Sequence, residues 1–248
     1  TRYFNPKFLS EMKAHGYDHS YIDEAGNTVG ILGSGDQDVM LLGHIDTFPG
    51  APPVHMANRL LYGRGTVDAK GPLCTFAVAA LRAALPPGIR LVVIGATEEE
   101  AATSRGAHHA ATVFSPAACI IGEPSRWDRI TMGYKGRLLA EWEWYGPLAH
   151  SAGPIPSPAE RAAAYWERIR TEVNTINSAR ETVFERVDVS LRAINTCDEG
   201  AYGRARLTIG FRLPPNTPPE SVAAGLPHDD DANLRVYGAE PAFTGERD

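Results

Sequence analysis

The chain has few cysteines, no long apolar run and no surplus of positive charge, and each shortage closes off a class of protein. Cys74, Cys119 and Cys197 are odd in number and lack metal-type or redox-type spacing, which argues against a disulfide-stapled secreted scaffold. They read as small buried thiols in a reducing, cytoplasmic compartment. No apolar stretch approaches the ~20 residues that a membrane-crossing helix needs, and no basic-then-apolar leader opens the sequence. A formal net charge of −6 argues against a nucleic-acid surface, which wants a basic face. Repeats, coiled-coil heptads and low-complexity tracts are missing too. The 248 residues, 43% hydrophobic and 22% charged, suffice for one large or two smaller domains with a sizeable core.

What is there is alternation. "NTVGIL" and "DVMLLG" are strand-like and are separated by the turn signal "GSGDQD". "GPLCTFAVAALRAAL" is apolar all round, as expected for a helix covered by a sheet. "RLVVIGA" and "AACIIG" have the continuous apolar pattern of strands buried on both faces. Together they predict an α/β layer with a mostly parallel sheet, whose ligands sit beyond the carboxyl ends of the strands. From about Gly133 the rhythm changes. "YKGRLLAEWEWYG" alternates like a half-exposed strand, and "SPAERAAAYWERIRTEVNTIN" is an amphipathic helix with Ser157 as N-cap and Pro158 in its first turn. "RVDVSLRAIN" and "RARLTIGFRL" predict a hairpin, followed by a weak helix "PPESVAAGL" and a strand "ANLRVYGA". The order β-α-β-β-α-β is that of a ferredoxin-like module. "PHDDDAN" reads as a solvated acidic loop.

Polar clusters fall where strands of the first half give out. "LLGHIDTFPG" ends in His44 and Asp46, and "LYGRGTVDAKGP" puts Asp68 in a glycine-rich turn before a helix. "VVIGATEEE" delivers Glu98, Glu99 and Glu100, and "CIIGEPS" delivers Glu123. Singly these are commonplace: a hydrogen-bonded His, a helix-start Glu run, a turn Asp, a loop acid. Jointly they crowd carboxylates that repel one another and resist desolvation. A divalent cation would offset that repulsion. One His with several carboxylates and no thiolate suits Zn²⁺ or, as second choice, Co²⁺ in an open catalytic site. The donor count favours two metals bridged by one carboxylate.

"GHIDT", "GRGTVDAKG", "TEEE…RG" and "GEPS", in this order, resemble the metal-binding motifs of the M20 metallopeptidase and deacylase family. The fuller strings "VDAKGPL", "GATEEEAATSRGA" and "GEPSRWDRITMGYKGRL" are most similar to its carrier-protein lysine/ornithine hydrolases of lysine and arginine biosynthesis. The resemblance implies a Zn-peptidase-like catalytic domain over 1–132, lacking its start. It further implies a ferredoxin-like lid and dimerisation domain over 133–239, and a return into an incomplete catalytic domain over 240–248. It makes His44 and Glu123 ligands of one metal, Glu100 a ligand of the other and Asp68 the bridge. Asp46 becomes the carboxylate that orients His44, and Glu99 the general base, with the pair Glu98 and Glu99 as the runner-up for base and ligand. His150 in "PLAHSAG" matches a lid histidine that serves a partner subunit's site, and Arg212 in "IGFRLPP" a lid arginine that grips a substrate carboxylate. The family's further metal-ligand histidine near the C-terminus has no match: after His150 only His228 follows, in the wrong motif context. A truncated chain is the expectation.

The function implied is metal-dependent amide hydrolysis that releases lysine or ornithine from a small acidic amino-group carrier protein, by a homodimer joined through the lid, with no nucleic-acid or membrane partner. Arg126, Arg129, Lys135 and Arg137 are candidates for docking that carrier. The alternatives are an N-acyl amino-acid deacylase or dipeptidase of the same family and, from another class, a non-catalytic binding or dimerising fragment with an incomplete metal site.

Overall fold

The apolar run at 91–94 is buried on both sides, and the first half of the molecule is built around it. The computed structural model describes residues 4–50, 52–101, 103–125, 128–150 and 152–245. The chain divides into two compact units, Thr1–Arg129 and Ile130–Asp248. In the first, α1 (Phe4–Ala14) leads into β1 (His19–Ile22), β2 (Thr28–Leu32) and β3 (Gln37–His44). A small hairpin of β4 (His55–Ala57) and β5 (Leu60–Tyr62) follows, then α2 (Lys70–Arg82), β6 (Ile89–Ala96), α3 (Arg105–Val113) and β7 (Ala118–Ile121). Five strands form one sheet in the order β1-β2-β6-β3-β7. Successive side chains of a strand leave opposite faces, so Leu91 and Val93 join Phe8, Met12, Leu73 and Ala77 on one side. Val92 and Ile94 join Val29, Met40 and Ala110 on the other.

The sheet is mixed rather than mostly parallel. β3 runs parallel to β6 and β7, but β1 pairs antiparallel with β2 and β2 antiparallel with β6. The short links 23–27 and 33–36 are the reason, because a parallel return needs a crossover of a dozen or more residues. Three further expectations change. β7 is exposed along its length rather than buried on both faces; among the described residues it pairs with β3 alone. α2 buries a single stripe, Leu73, Ala77 and Ala80, and leaves Val78 half exposed. The three thiols are free and exposed rather than buried.

The second unit opens with β8 (Gly133–Tyr134) and β9 (Gly136–Pro147), followed by α4 (Pro158–Asn177), β10 (Asp188–Glu199) and β11 (Tyr202–Leu213). It continues through α5 (Pro219–Ala224) and β12 (Ala232–Glu240) to β13 (Phe243–Thr244), which pairs with β8. Its four-stranded antiparallel sheet has the order β10-β11-β9-β12, the split arrangement of a ferredoxin-like module. Alternate residues of β9 and β11, among them Leu138, Trp142, Leu207 and Phe211, pack on Tyr165 and Ile169 of α4. Ser157 caps α4 in a full capping box with Glu160.

The acidic loop after α5 is a clamp, not a solvated tract. Asp229 accepts from Arg168 at 2.6 Å and from the Trp142 indole at 3.1 Å. Asp231 accepts from Arg161 and the Trp144 indole, each at 3.0 Å. Trp142 and Trp144 lie two apart on a strand, hence on one face, and Arg161 and Arg168 lie two turns apart on α4. An Asp-x-Asp loop therefore ties both elements. Between the two acids, Asp230 is fully exposed.

Candidate metal centre

Parallel register brings three strand ends to one level. His44 lies beside Ala96, so 97–100 leave β6 just beyond the imidazole. Leu42 lies beside Ile121, so Glu123, two residues on, comes level with His44. Asp68 arrives from the turn before α2, which closes because Gly71 has no side chain: a Cβ there would sit 2.1 Å from the Thr66 carbonyl oxygen.

His44 is almost fully buried and is the centre of the cluster. Its Nδ1 lies 3.0 Å from the main-chain carbonyl of Asp46. A carbonyl only accepts, so Nδ1 carries the proton and Nε2 faces the acids. Nε2 is 2.8 Å from Asp68 Oδ1 and 3.7 Å from both Glu99 Oε2 and Glu123 Oε1. Two donor groups result, His44–Asp68–Glu100 and His44–Glu99–Glu123, each offering ligand atoms within 4.8 Å of one another. His44, rather than Asp68, is common to both. These are nitrogen and carboxylate donors with no thiolate, and that set fits a divalent cation such as Zn²⁺ or Co²⁺.

The Asp46 carboxylate does something the sequence did not suggest. Its Oδ1 is 3.6 Å from His44 Nδ1, so the imidazole is oriented by the Asp46 carbonyl. The carboxylate instead accepts from the backbone amides of Glu99, at 3.2 Å, and Glu100, at 3.1 Å. Glu98 turns away with a left-handed φ of 59°; its carboxylate accepts from the Thr103 hydroxyl at 2.8 Å, and it belongs to neither donor group.

Charge is unbalanced here. Burial pushes the Glu123 carboxyl up to about 7, against the lowering effect of His44, with Glu99, Asp68 and Glu100 adding to the rise. Glu99 is raised for the same first reason, burial, with His44 opposing and Glu100 reinforcing. Burial also opposes a charged His44, but the Asp68 hydrogen bond and the nearby carboxylates outweigh it and raise its pKa. Beside the cluster runs a cleft of about 450 Å³ lined by Phe48, Arg64, Thr66, Val67, Asp68 and Glu100 among others.

His150 and Arg212 belong to the second unit. His150 is exposed three residues past β9, where its Nδ1 accepts from the Ala152 amide at 3.2 Å. Arg212 is exposed on β11 opposite Arg137, whereas Tyr202 at the other end of β11 lies opposite Pro147. Residues 137–147 thus separate the two ends, roughly 30 Å at ~3.3 Å per residue. Of the four candidates for docking a carrier, Arg129 is exposed, with Asp128 4.0 Å away, and two are engaged within the second unit. Lys135 is nearly buried, held at 2.7 Å by the carbonyls of Val183 and Arg186 and by Asp188. Arg137 pairs with Glu240 at 2.6 Å, and Arg126 lies outside the described residues.

The mixed α/β sheet with its carboxylates at one edge is a peptidase-type fold, and residues 40–233 match peptidase family M20/M25/M40. The chain belongs to that family. It is 42% identical over 242 residues to the LysW-lysine hydrolase of Deinococcus radiodurans, a match covering 94% of this chain and 65% of that one. It is 39% identical over 109 residues to the LysW-lysine/LysW-ornithine hydrolase of Saccharolobus islandicus, covering 44% and 30%. The chain spans less than two thirds of the length of these curated relatives. Among solved structures, a tripeptidase from Staphylococcus aureus shares the fold at TM-score 0.70 and 15% identity, covering 98% of this chain and 71% of that one. An M20 metallo-carboxypeptidase from Sulfolobus solfataricus does so at 0.68 and 15%, covering 96% and 73%.

Proposed function

We propose that this chain carries the catalytic residues of a metal-dependent amide hydrolase that releases lysine or ornithine from a small acidic amino-group carrier protein in the cytoplasm. The observation that carries the reading is the meeting of His44, Asp68, Glu99, Glu100 and Glu123 at one edge of one sheet. The similarity to LysW-lysine hydrolase supports the substrate. His44, Asp68, Glu100 and Glu123 would hold two divalent ions, Zn²⁺ before Co²⁺. When bound, such ions supply Lewis-acid polarisation of the scissile carbonyl and make water more acidic.

The chain's own residues do the rest. Glu99, raised above the usual carboxylate range, accepts the proton of the attacking water and returns it to the departing amine. Asp46 fixes the main chain at Glu99 and Glu100. That anchoring and the diversion of Glu98 to Thr103 both favour Glu99 and Glu100 as base and ligand. His150 donates a hydrogen bond to the developing oxyanion, and the Arg212 guanidinium grips a substrate carboxylate. Their places at opposite ends of the second unit's sheet support His150 serving the site of a second copy, in a homodimer formed through a lid domain at 133–239.

The test is Glu99→Gln. Turnover of carrier-linked lysine should fall by at least about a hundredfold while zinc content stays at the wild-type level; a fully metallated, fully active variant refutes the assignment. Running N-acetylornithine beside carrier-linked lysine decides the substrate.

A further inference from the structure

The three glutamates sit on a loop, and a loop aims side chains only as well as its ends are held. Asn27, immediately before β2, holds both ends. Its side chain is fully buried. The carboxamide oxygen accepts from the Thr97 amide at 3.0 Å, where β6 gives out, while the Thr97 hydroxyl donates its one proton to the Ala25 carbonyl at 3.1 Å. The amide nitrogen donates to the Gly106 carbonyl at 3.0 Å, at the start of α3, and to Asp23 Oδ2 at 2.9 Å. Both N–H donors and the carboxamide oxygen are engaged, which fixes the orientation of the amide. Asp23 is in turn held by the amides of Ala25 and Asn27, and Gly106 N–H bonds directly to the Thr97 carbonyl at 3.0 Å.

We infer that Asn27 is the positioning residue of the glutamate loop: its carboxamide ties the end of β6 to the start of α3 and so sets where Glu99 and Glu100 emerge. This rests on the hydrolase reading above for its consequence, though not for its geometry. Asn27 touches none of the reacting groups and acts only through the loop. No other side chain of similar size serves. Aspartate has no donor for the Gly106 carbonyl and would set its charge against Asp23; alanine leaves the buried Thr97 amide without its acceptor.

The experiment compares Asn27→Ala with Tyr17→Phe in the full chain. Tyr17→Phe removes a buried hydrogen bond to the Ala77 carbonyl in the same unit, away from the loop. Three quantities are read: deuterium uptake of the peptide spanning 97–106, zinc affinity by titration with zinc alone, and kcat and KM for carrier-linked lysine. Asn27→Ala should speed exchange across the loop, weaken zinc binding about tenfold and lower kcat ten- to a hundredfold with KM nearly unchanged. Tyr17→Phe should do none of these. Should Asn27→Ala not fold, Asn27→Ser is read the same way. Loop exchange and zinc affinity that match those of Tyr17→Phe overturn the inference. A wild-type chain that binds no zinc and turns nothing over overturns the hydrolase reading instead, while the exchange comparison still decides the role of Asn27.

Discussion

Gly106 shows how little slack the candidate centre has. A Cβ there would lie 2.3 Å from both Asn27 Oδ1 and the Thr97 amide nitrogen, so neither partner can yield without breaking the bonds that hold the glutamate loop. Gly106→Ala should cost about 1–3 kcal/mol, as overpacking usually does, and should speed exchange of the 97–106 segment. Urea denaturation and deuterium uptake check it; a variant as stable and as protected as wild type refutes the close packing. The ligating types were legible one by one, because an imidazole or carboxylate where an apolar run stops is visible in a string of letters. Asn27 was not. In "DEAGNTV" it reads as an ordinary turn residue, and the bonds that make it matter span 70 and 79 positions.

At the scale of elements, periodicity read well wherever burial was two-sided or strictly alternating. β6 and β9 are where the apolar pattern puts them, and Ser157 caps α4 as the sequence suggests. It read poorly where a segment's neighbours decide. Nothing in "AACIIG" says that β7 lies at an edge, and nothing in "PHDDDAN" distinguishes a clamp from a solvated loop. The second case yields a sharp contrast. Asp229→Ala removes the partner of the Trp142 indole N–H, on a residue that is 3% exposed, and leaves that donor unsatisfied. It should cost about 1–3 kcal/mol. Asp230→Ala, on the fully exposed acid next door, should stay within about 0.5 kcal/mol of wild type. Equal urea midpoints for the two variants contradict the clamp.

For the molecule as a whole, the charge imbalance at the candidate centre links stability to both pH and metal. In metal-stripped protein, burial raises the Glu123 carboxyl from 4.5 to about 7, so folding favours its protonated form. That stabilising contribution is fully present below pH 4.5 and is lost as pH rises through about 7. At pH 8 the stripped wild type therefore carries a buried, poorly compensated charge, and Glu123→Gln should melt at a higher temperature. Zinc should reverse the order. A ligand at a hundred times its Kd adds about 2.7 kcal/mol to the state that binds it. Wild type should gain that stabilisation, and the glutamine variant, short of one carboxylate donor, should gain less. Melting temperatures of both proteins at pH 8, with chelator and with zinc, make the comparison. Equal gains on adding zinc would remove Glu123 from the proposed ligand set, and no gain in either would leave the cluster as acids crowded together with no cation to hold.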